Sequence, residues 1–526
     1  MTLDENVKTW KPARAPFAAL IHAIALEVQP AWVVGGAVRD LLLGRNAATV
    51  DIDLVVAHSA IPIARRVADR LGWAFYALDE GRDVARLVFS AGPEPLVCDI
   101  SSTRGGSIEA DLRARDFTVN ALAFALDARA HDVYPVHVID VSTGMADLAA
   151  GCIRRVHASS LADDPARLLR AVRFSVELGF PIEDATLDQM LRMANSVYSV
   201  SPERIRDVLW KMLAGADPAA AIELLRTTGL LPIVLPEVAG TEFVQQSEPH
   251  DKDVYRHTVA AVQIAAVLRD WLLGRRLAMP LNEGVAANLR LLTQVLEPWA
   301  FYLRRHFAAA EAGGRLRADW LVWHALLHDV GKTATRTLES TESGAQRTRF
   351  FEHEVVGAHM ATARAEALRF SRAEADLVDI VVRNHMRPHL LHMSFAGGDI
   401  SRRARYRFFR DVGPRTSDQR AGVDVIMLAL VDRVAMNAQL DAGEWHAYLV
   451  HMAQMLTFLY SEQGVDRPMR QPFVDGRTLM QELGLAPGPA LGQIMEALAE
   501  AQAAGDVTSR AEALKMAQML VGGMQL

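Results

Sequence analysis

The sequence predicts an α+β protein: a small N-terminal head, built as a mixed sheet with helices, followed by a long all-α body. Three observations predict it. Short apolar or alternating runs at 31–35, 50–56, 84–90 and 96–101 suit the strands of a small sheet. An amphipathic segment at 16–27 precedes the first of them. From Asp163 onward the hydrophobic spacing turns helical and stays so. Turn-like breaks at Ser199-Val-Ser-Pro and Leu231-Pro-Ile-Val-Leu-Pro mark element and domain edges. The polar stretch Gln245–Asp253 introduces a second helical block reaching about residue 440. The tail carries Phe473-Val-Asp-Gly-Arg477 and Gly484-Leu-Ala-Pro-Gly-Pro489, then two helical runs.

At 526 residues the chain exceeds one core, and three or four domains are expected. Two cysteines, Cys98 and Cys152, exclude a disulfide framework or a cysteine-rich zinc site, which fits a reducing cytosol. No signal-peptide pattern opens the sequence, and no apolar run reaches the roughly 18 residues of a membrane span. A net charge of −7 argues against a protein that coats nucleic acid indiscriminately. Arginines do cluster at 154–173 and 402–410, as a phosphate-binding stripe or as a solvated helix face.

The most informative stretch is Val33-Val-Gly-Gly-Ala-Val-Arg-Asp40, followed after a short gap by Asp51-Ile-Asp53-Leu54. An apolar strand runs into a glycine pair, Gly35 and Gly36, and then into a helix opening with Arg39 and Asp40. Alternation along the next strand puts Asp51 and Asp53 on one face. Paired carboxylates repel unless a cation sits between them, and Mg²⁺ favours such oxygens alongside substrate phosphates. Backbone N–H groups at the glycines can approach a triphosphate. This order of parts points to metal-dependent nucleotidyl transfer.

The segments GGAVRDLLLG and DIDLVV resemble the first motif of the class II tRNA nucleotidyltransferase and bacterial poly(A) polymerase family. The resemblance spans about residues 30–520 and implies roles for further residues. Asp99, in Leu96-Val-Cys-Asp-Ile100, takes the place of a third catalytic acid beside Asp51 and Asp53. Arg115-Asp116-Phe-Thr-Val-Asn120 looks like the second motif, in which Arg115, Asp116 and Asn120 bind the nucleotide or hold the site. The family has two adjacent arginines before that aspartate, whereas this chain has Arg113-Ala114-Arg115. Asp140 and Gly144 resemble a third motif coupling head and neck. Asp163-Asp164-Pro-Ala-Arg167-Leu-Leu-Arg170 resembles the nucleobase-selecting motif, with Asp163 where the family has Glu. Asp164 and Arg167 are neighbours on a helix face, one only accepting hydrogen bonds and the other only donating them. Cytosine and adenine offer an amino donor beside a ring-nitrogen acceptor, so the pair accepts them and rejects uracil and guanine. Arg170 shares the face and is expected to meet phosphate. Glu203 and Arg204, in the Ser201-Pro-Glu-Arg-Ile segment that braces this pocket in the family, are read as structural.

Downstream, His257, His328-Asp329, His353, His385 and Asp432 fall in a telling order. Imidazoles and carboxylates on successive helices can hold one or two divalent metals and activate water. The series resembles the HD phosphohydrolase superfamily. His257, His328, Asp329 and Asp432 match its core ligands, and His353 and His385 match those added in binuclear members. His324, one turn before His328, can substitute for it, while His389 and His392 are read as bystanders.

The expectation is therefore a nucleotidyltransferase head at 1–150, a helical neck at 151–240, an HD-type helical metal domain at 245–440, and a helical tail at 441–526 that contacts tRNA. By resemblance, the enzyme extends the tRNA 3′ end from CTP and ATP, with Mg²⁺ on Asp51 and Asp53, and with a divalent transition metal or Mg²⁺ at the HD site. The expected location is the cytoplasm. One rival is a partial activity: CC-adding, A-adding or poly(A) synthesis. The stretch between Ile100 and Asp116 favours it, being shorter than the flexible loop believed to switch complete CCA-adding members from C to A. A second rival is an HD phosphohydrolase that uses the head to recruit RNA. A third is an RNA-binding scaffold with an inactive head.

Overall fold

A computed structural model of the chain describes residues 9–12, 14–45, 51–91, 95–130, 133–248, 250–275, 282–311, 313–340, 346–413, 421–437, 439–462 and 472–523. Residue 50 of the expected strand and residue 471 of the tail lie outside the described residues. The chain divides into two compact units. One is Met1–Val208 with Thr227–Ile233, and the other is Leu209–Arg226 with Val234–Leu526.

The first unit is built on a seven-stranded mixed sheet. From edge to edge its strands are Ala74–Asp79, Val84–Phe89, Leu96–Ser102, Asp51–Val56, Ala31–Val34, Leu122–Ala125 and Ile139–Asp140. Only Asp51–Val56 and Leu96–Ser102 pair in parallel, which demands the crossover supplied by helix Ala60–Leu71 and the hairpin after it. Alternation sorts the central strand. Ile52, Leu54 and Val56 are buried on one face, and Val55 packs on the other with Trp32, Val34, Ile108, Leu112 and Ala123. Helices Ala15–Glu27 and Ala60–Leu71 pack on each other, the second also on Val84–Phe89 and Leu96–Ser102. The strand runs expected at 31–35, 50–56, 84–90 and 96–101 appear within a residue of those bounds. Ala74–Asp79, an exposed edge strand, and the short Leu122–Ala125 and Ile139–Asp140 were not anticipated.

Register makes one transverse row. Arg86 stands opposite Asp99, Asp99 opposite Asp53, Asp53 opposite Val34, and Val34 opposite Ala123. Gly35 follows Val34 at the turn into helix Gly36–Leu42, with φ +70° and ψ −130°, a conformation that only glycine adopts freely. Its Cα faces the row so closely that a Cβ would lie 3.0 Å from Arg115 Nη1 and 3.6 Å from Asp53 Oδ2.

The second unit is helical apart from one antiparallel hairpin, Arg336–Ser340 with Gln346–Phe350. That hairpin corrects the expectation of uninterrupted helix. Its strands are polar and largely exposed, so they carry no apolar alternation to read. Helix Val254–Leu272 packs on Arg317–Leu327 and Ala421–Met436, and the last also packs on Arg372–Asn384. Arg317–Leu327 is buried along its whole length, and its Trp320 and Trp323 join Trp210 and Phe370 in an aromatic cluster. The tail has its own core, Val474, Leu479, Ile494, Leu498, Ala501, Val507, Ala513 and Ala517, shared by helices Gly476–Leu483, Pro489–Ala504 and Arg510–Gly523. The arginine stripe at 402–410 is tied to that tail: Arg403 pairs with Asp506, Arg407 with Glu500, and Arg410 with Glu496. Among the described residues no helix is long and apolar enough to cross a membrane.

Gly331 is where the turn after His328-Asp329 meets helix His353–Ala367. A Cβ there would run into His353 O and come within 2.5 Å of Gly357 N. These are backbone atoms that no rotamer change removes. Gly331→Ala is expected to cost about 1–3 kcal/mol, as overpacking does. The loss should appear as a lower thermal midpoint of the helical unit by circular dichroism, and an unchanged midpoint would refute the close packing.

Candidate functional site

The transverse row sets the head site. Asp53 opens on a cavity of about 280 Å³ that Asp99, Arg104, Arg115, Asp116, Asp164, Arg167, Arg170 and Arg204 also face. Asp53 keeps contact with solvent through the mouth, but protein atoms crowd it. Burial, reinforced by the charges of Asp51 and Asp99 and opposed by Arg115, pushes its carboxyl up to about 6. Asp51 is two residues away on the same strand face, with Ile52 buried between them on the other. Asp99 is not a bare third acid, because Arg86 Nε and Nη2 donate to its two oxygens at 2.8 and 2.7 Å. The donor set nonetheless suits a hard divalent cation: clustered carboxylates, one with a raised pKa, on one face.

Around it the second motif is held by ion pairs. Asp116 Oδ1 accepts from Phe117 N at 2.9 Å, and Oδ2 accepts from Arg170 Nε at 2.7 Å. Burial raises the Asp116 carboxyl, but Arg170 outweighs it and leaves the group below its usual value. Arg115 donates from Nε to Asp111 Oδ2 at 3.2 Å. Arg39, Asp40 and Asn120, all candidates for the nucleotide site, are hydrogen-bonded to one another. Arg39 Nη1 donates to Asn120 Oδ1 at 2.7 Å and its Nε to Asp40 Oδ1 at 2.8 Å, with the guanidinium 5.6 Å from the Phe174 ring centroid. The Gly35 N–H is likewise spent on Leu122 O, at 3.0 Å, while its backbone stays against Asp53. Asp140 accepts from the N–H groups of Ser142, Gly144 and Met145 and so closes a turn into helix Gly144–Ala150.

Asp164 and Arg167 share the cavity, each with other partners. Arg167 Nη1 donates to Arg115 O and Ser160 O at 3.2 and 2.9 Å, and Nη2 to Ala114 O at 2.7 Å. Asp164 accepts from Ala166 N at 3.2 Å and from Arg204 Nη2 at 2.6 Å. A second, larger cavity of about 650 Å³ shares Arg104, Asp164, Arg167 and Arg204 with the first and adds Arg82 and the hydroxyl side chains of Ser102 and Thr103.

The histidine–aspartate series converges in the second unit. His257 Nε2 is 2.9 Å from Asp432 Oδ1, 3.3 Å from His328 Nε2 and 3.5 Å from Asp329 Oδ2. On the other side, Asp329 Oδ1 is 3.5 Å from His353 Nε2 and 4.0 Å from His385 Nε2. Two ligand groups therefore meet at one carboxylate: His257, His328 and Asp432, and Asp329, His353 and His385. Their tautomers are set from behind. The Nδ1 atoms of His328, His353 and His385 lie 2.9, 2.9 and 2.6 Å from the carbonyls of Ala325, Phe350 and Val382. In the neutral His353 and His385 a donating Nδ1–H leaves the Nε2 lone pair aimed inward. Buried and without partners, His353 Nε2 and His385 Nε2 are donor atoms waiting for an acceptor of electron pairs. Burial keeps His385 neutral by lowering it to about 3. For His328 burial acts the same way, but Asp329 and Asp432 override it and raise the imidazole to about 10. Lys332 Nζ also reaches Asp329 Oδ2, at 2.7 Å. This arrangement fits divalent metal.

His324 is not part of the cluster. It is buried, with neither ring nitrogen partnered, and stacks on Trp320. His392 pairs with His451 at 3.0 Å. His389, read as a bystander, lines the same cavity of about 280 Å³ as Asp329 and Asp432, together with His250, Lys332, Arg347, Arg349 and Arg433. Sequence reasoning missed Arg347 and Arg349 because the hairpin that carries them was not foreseen. It also missed Arg86, which the alternation of 84–89 could have flagged. It read Arg204 as structural, since nothing in the sequence links it to a partner 40 residues away.

Comparison with known proteins agrees with this geometry. Residues 31–154 match the family described as "Poly A polymerase head domain", 179–241 the "Probable RNA and SrmB- binding site of polymerase A", and 283–436 the "HD domain". The chain is 30% identical over 496 residues to an A-adding tRNA nucleotidyltransferase of Deinococcus radiodurans, covering 93% of this chain and 95% of that one. It is 31% identical over 500 residues to a CC-adding tRNA nucleotidyltransferase of Geobacter sulfurreducens, covering 95% and 94%. The fold is shared with the Thermotoga maritima CCA-adding enzyme complexed with tRNA, at a TM-score of 0.53 and 18% identity over 98% of this chain and all of that one. Signature motifs, paired carboxylates in register and relatives alike along nearly the whole length lead to one conclusion: the chain belongs to the tRNA nucleotidyltransferase family.

Proposed function

We propose that this chain adds CMP and AMP, without a template, to the tRNA 3′ end, using CTP and ATP and releasing pyrophosphate. One observation carries the reading: the Asp53 carboxylate, the Arg115 and Arg170 guanidiniums and the Asp164/Arg167 pair face a single cavity. Asp51 and Asp53 would hold Mg²⁺, which when bound lowers the pKa of the attacking hydroxyl and neutralises charge on the departing pyrophosphate. Arg115 and Arg170 bind phosphate, with Asp116 fixing Arg170. Asp164 accepts from the base amino group while Arg167 donates to the ring nitrogen. Arg39, Asp40 and Asn120 brace the head from within. The reading assigns the head to 1–150, the neck to 151–240, the HD-type domain to 245–440 and a tRNA-contacting tail to 441–526, in a cytoplasmic enzyme.

A restricted specificity, CC-adding or A-adding, has specific support. Residues 103–114 form a tight turn and the short helix Ile108–Arg113, with Ile108 and Leu112 in the head core, in place of a long loop. The two nearly full-length relatives named above are themselves A-adding and CC-adding. Transcripts ending before the first C, after one C and after both would be incubated with single labelled nucleotides and sized. Growth to CCA on all three supports complete addition, while arrest after CC or addition of the last A alone assigns the partial activity. Asp53→Ala should lower incorporation by at least about a thousandfold, the scale on which loss of a charge-stabilising group acts. Retained activity in that variant would overturn the head as the working centre.

The HD-type site is proposed to hold one or two divalent ions and to hydrolyse a phosphate ester, because its cavity adds Lys332, Arg347, Arg349 and Arg433 to the ligands. Metal analysis of purified protein should find divalent ion that Asp329→Ala removes and Asp53→Ala spares. Equal metal content in both variants would contradict this.

The raised Asp53 pKa gives Mg²⁺ binding a pH dependence. Only the ionised carboxylate is a ligand, so apparent affinity at the head should rise about tenfold per pH unit below about 6 and level off above it. In the metal-free protein the sign is opposite. Burial favours neutral Asp53, so its contribution to stability is present below the ordinary value of 3.8 and is lost as pH rises through about 6. Titration calorimetry with Asp329→Ala protein isolates the head. A flat affinity from pH 5 to pH 7 would show that Asp53 does not titrate in that range.

A further inference from the structure

The two members of the base-reading pair are secured in different ways. Arg167 is locked by the main chain, through three hydrogen bonds to the carbonyls of Ala114, Arg115 and Ser160. Asp164 lies between the short helix Ser160–Asp163 and Pro165, and only one bond of its own segment, to Ala166 N at 3.2 Å, restrains its carboxylate. The stronger restraint comes from another helix. Arg204, in the first turn of Pro202–Leu213, places Nη2 2.6 Å from Asp164 Oδ2 and faces the same cavity as Asp53. A carboxylate has about four lone-pair sites on its two oxygens, so these two donors leave room for a third. Arg204 therefore need not leave when a base arrives.

What a free carboxylate would lose is direction. The terminal torsion of Asp is broad, so an untethered group presents its lone pairs over a wide arc. Selection between bases rests on the acceptor meeting an amino group and facing the carbonyl of a wrong base unpaired. We infer that Arg204 is a positioning residue for base selection, holding Asp164 so that its remaining lone pairs meet the exocyclic amino group of cytosine or adenine beside the fixed Arg167. This rests on the nucleotide-addition reading above. A structural role alone accounts poorly for the pair, since Arg204 is about half exposed and ion pairs so open to solvent contribute little to stability.

The test uses the full-length protein and its Arg204→Met and Arg204→Lys variants. Initial rates of single-nucleotide addition to tRNA transcripts would be measured with CTP, ATP, UTP and GTP separately, beside thermal midpoints. In Arg204→Met, KM for whichever of CTP and ATP the wild type accepts should rise about tenfold, with kcat changed less than about threefold. Its preference for that nucleotide over UTP and GTP should fall about tenfold, and Arg204→Lys should recover most of it. An unchanged preference in Arg204→Met overturns the inference. So does a uniform fall in kcat for all four nucleotides accompanied by a lowered midpoint, which would mark a structural role. Failure of the wild type itself to favour cytosine or adenine would instead overturn the nucleotide-addition reading, whatever the variants do.

Discussion

Carboxylates gathered on one face of a sheet repel one another, and the head of this protein is organised around that repulsion. Parallel pairing of Asp51–Val56 with Leu96–Ser102 puts Asp53 and Asp99 in the same register, beside Asp51. Two consequences are visible in the metal-free protein. Arg86, opposite Asp99 on the next strand, neutralises one member with a bidentate contact, and burial with its acidic neighbours leaves Asp53 with a raised pKa. Under the proposed function, a cation at Asp51 and Asp53 would relieve what the protein leaves unbalanced. The strand-to-helix turn at Gly35 borders the same row: its φ of +70° favours glycine, and a Cβ there would lie 3.0 Å from Arg115 Nη1 and 3.6 Å from Asp53 Oδ2.

The second centre meets the same problem with different ligands. Asp329 directs Oδ2 at His257 and His328 and Oδ1 at His353 and His385, so one side chain joins two ligand groups. Three of the imidazoles, those of His328, His353 and His385, are held from behind by the carbonyl three residues earlier, which aims their Nε2 atoms inward without any further side chain. The close approach of Gly331 to His353 O and Gly357 lets the His328-Asp329 turn come near the His353 helix at all.

Legibility in the sequence followed chain distance. Contiguous motifs were readable: Gly35 and Gly36 with Asp51 and Asp53 through their order and context, and Asp164 with Arg167 and the His328-Asp329 pair through the resemblance their segments carry. The distant histidines were readable because their order, rather than any local pattern, carried the resemblance. What escaped was set by register or by helix docking. Arg86 meets Asp99 across an antiparallel ladder, and Arg204 meets Asp164 across 40 residues. The hairpin at 336–350 is polar and open to solvent, so its arginines could not be placed over the HD-type cavity. Arg39 is a further case: nothing in the chain order of the first motif shows that its guanidinium is buried and donates to Asn120 and Asp40.

Base reading and the segment before the second motif are mechanically joined. Arg167 takes its orientation from the carbonyls of Ala114 and Arg115, which end that segment. The segment itself is pinned at several points. Ser107 caps helix Ile108–Arg113, Ile108 and Leu112 sit in the head core, and buried Asp111 accepts from Arg104 N at 3.3 Å and Arg115 Nε at 3.2 Å. To change the base it accepts, the pocket would have to shift Arg167, and that shift would drag a short, anchored helix out of apolar packing. A longer loop would let the same carbonyls move at little cost. Such anchoring suits a pocket held in one reading geometry, the restricted-specificity alternative to complete CCA addition. In that setting Asp164 is the adjustable half of the pair, and Arg204 is the group that fixes it.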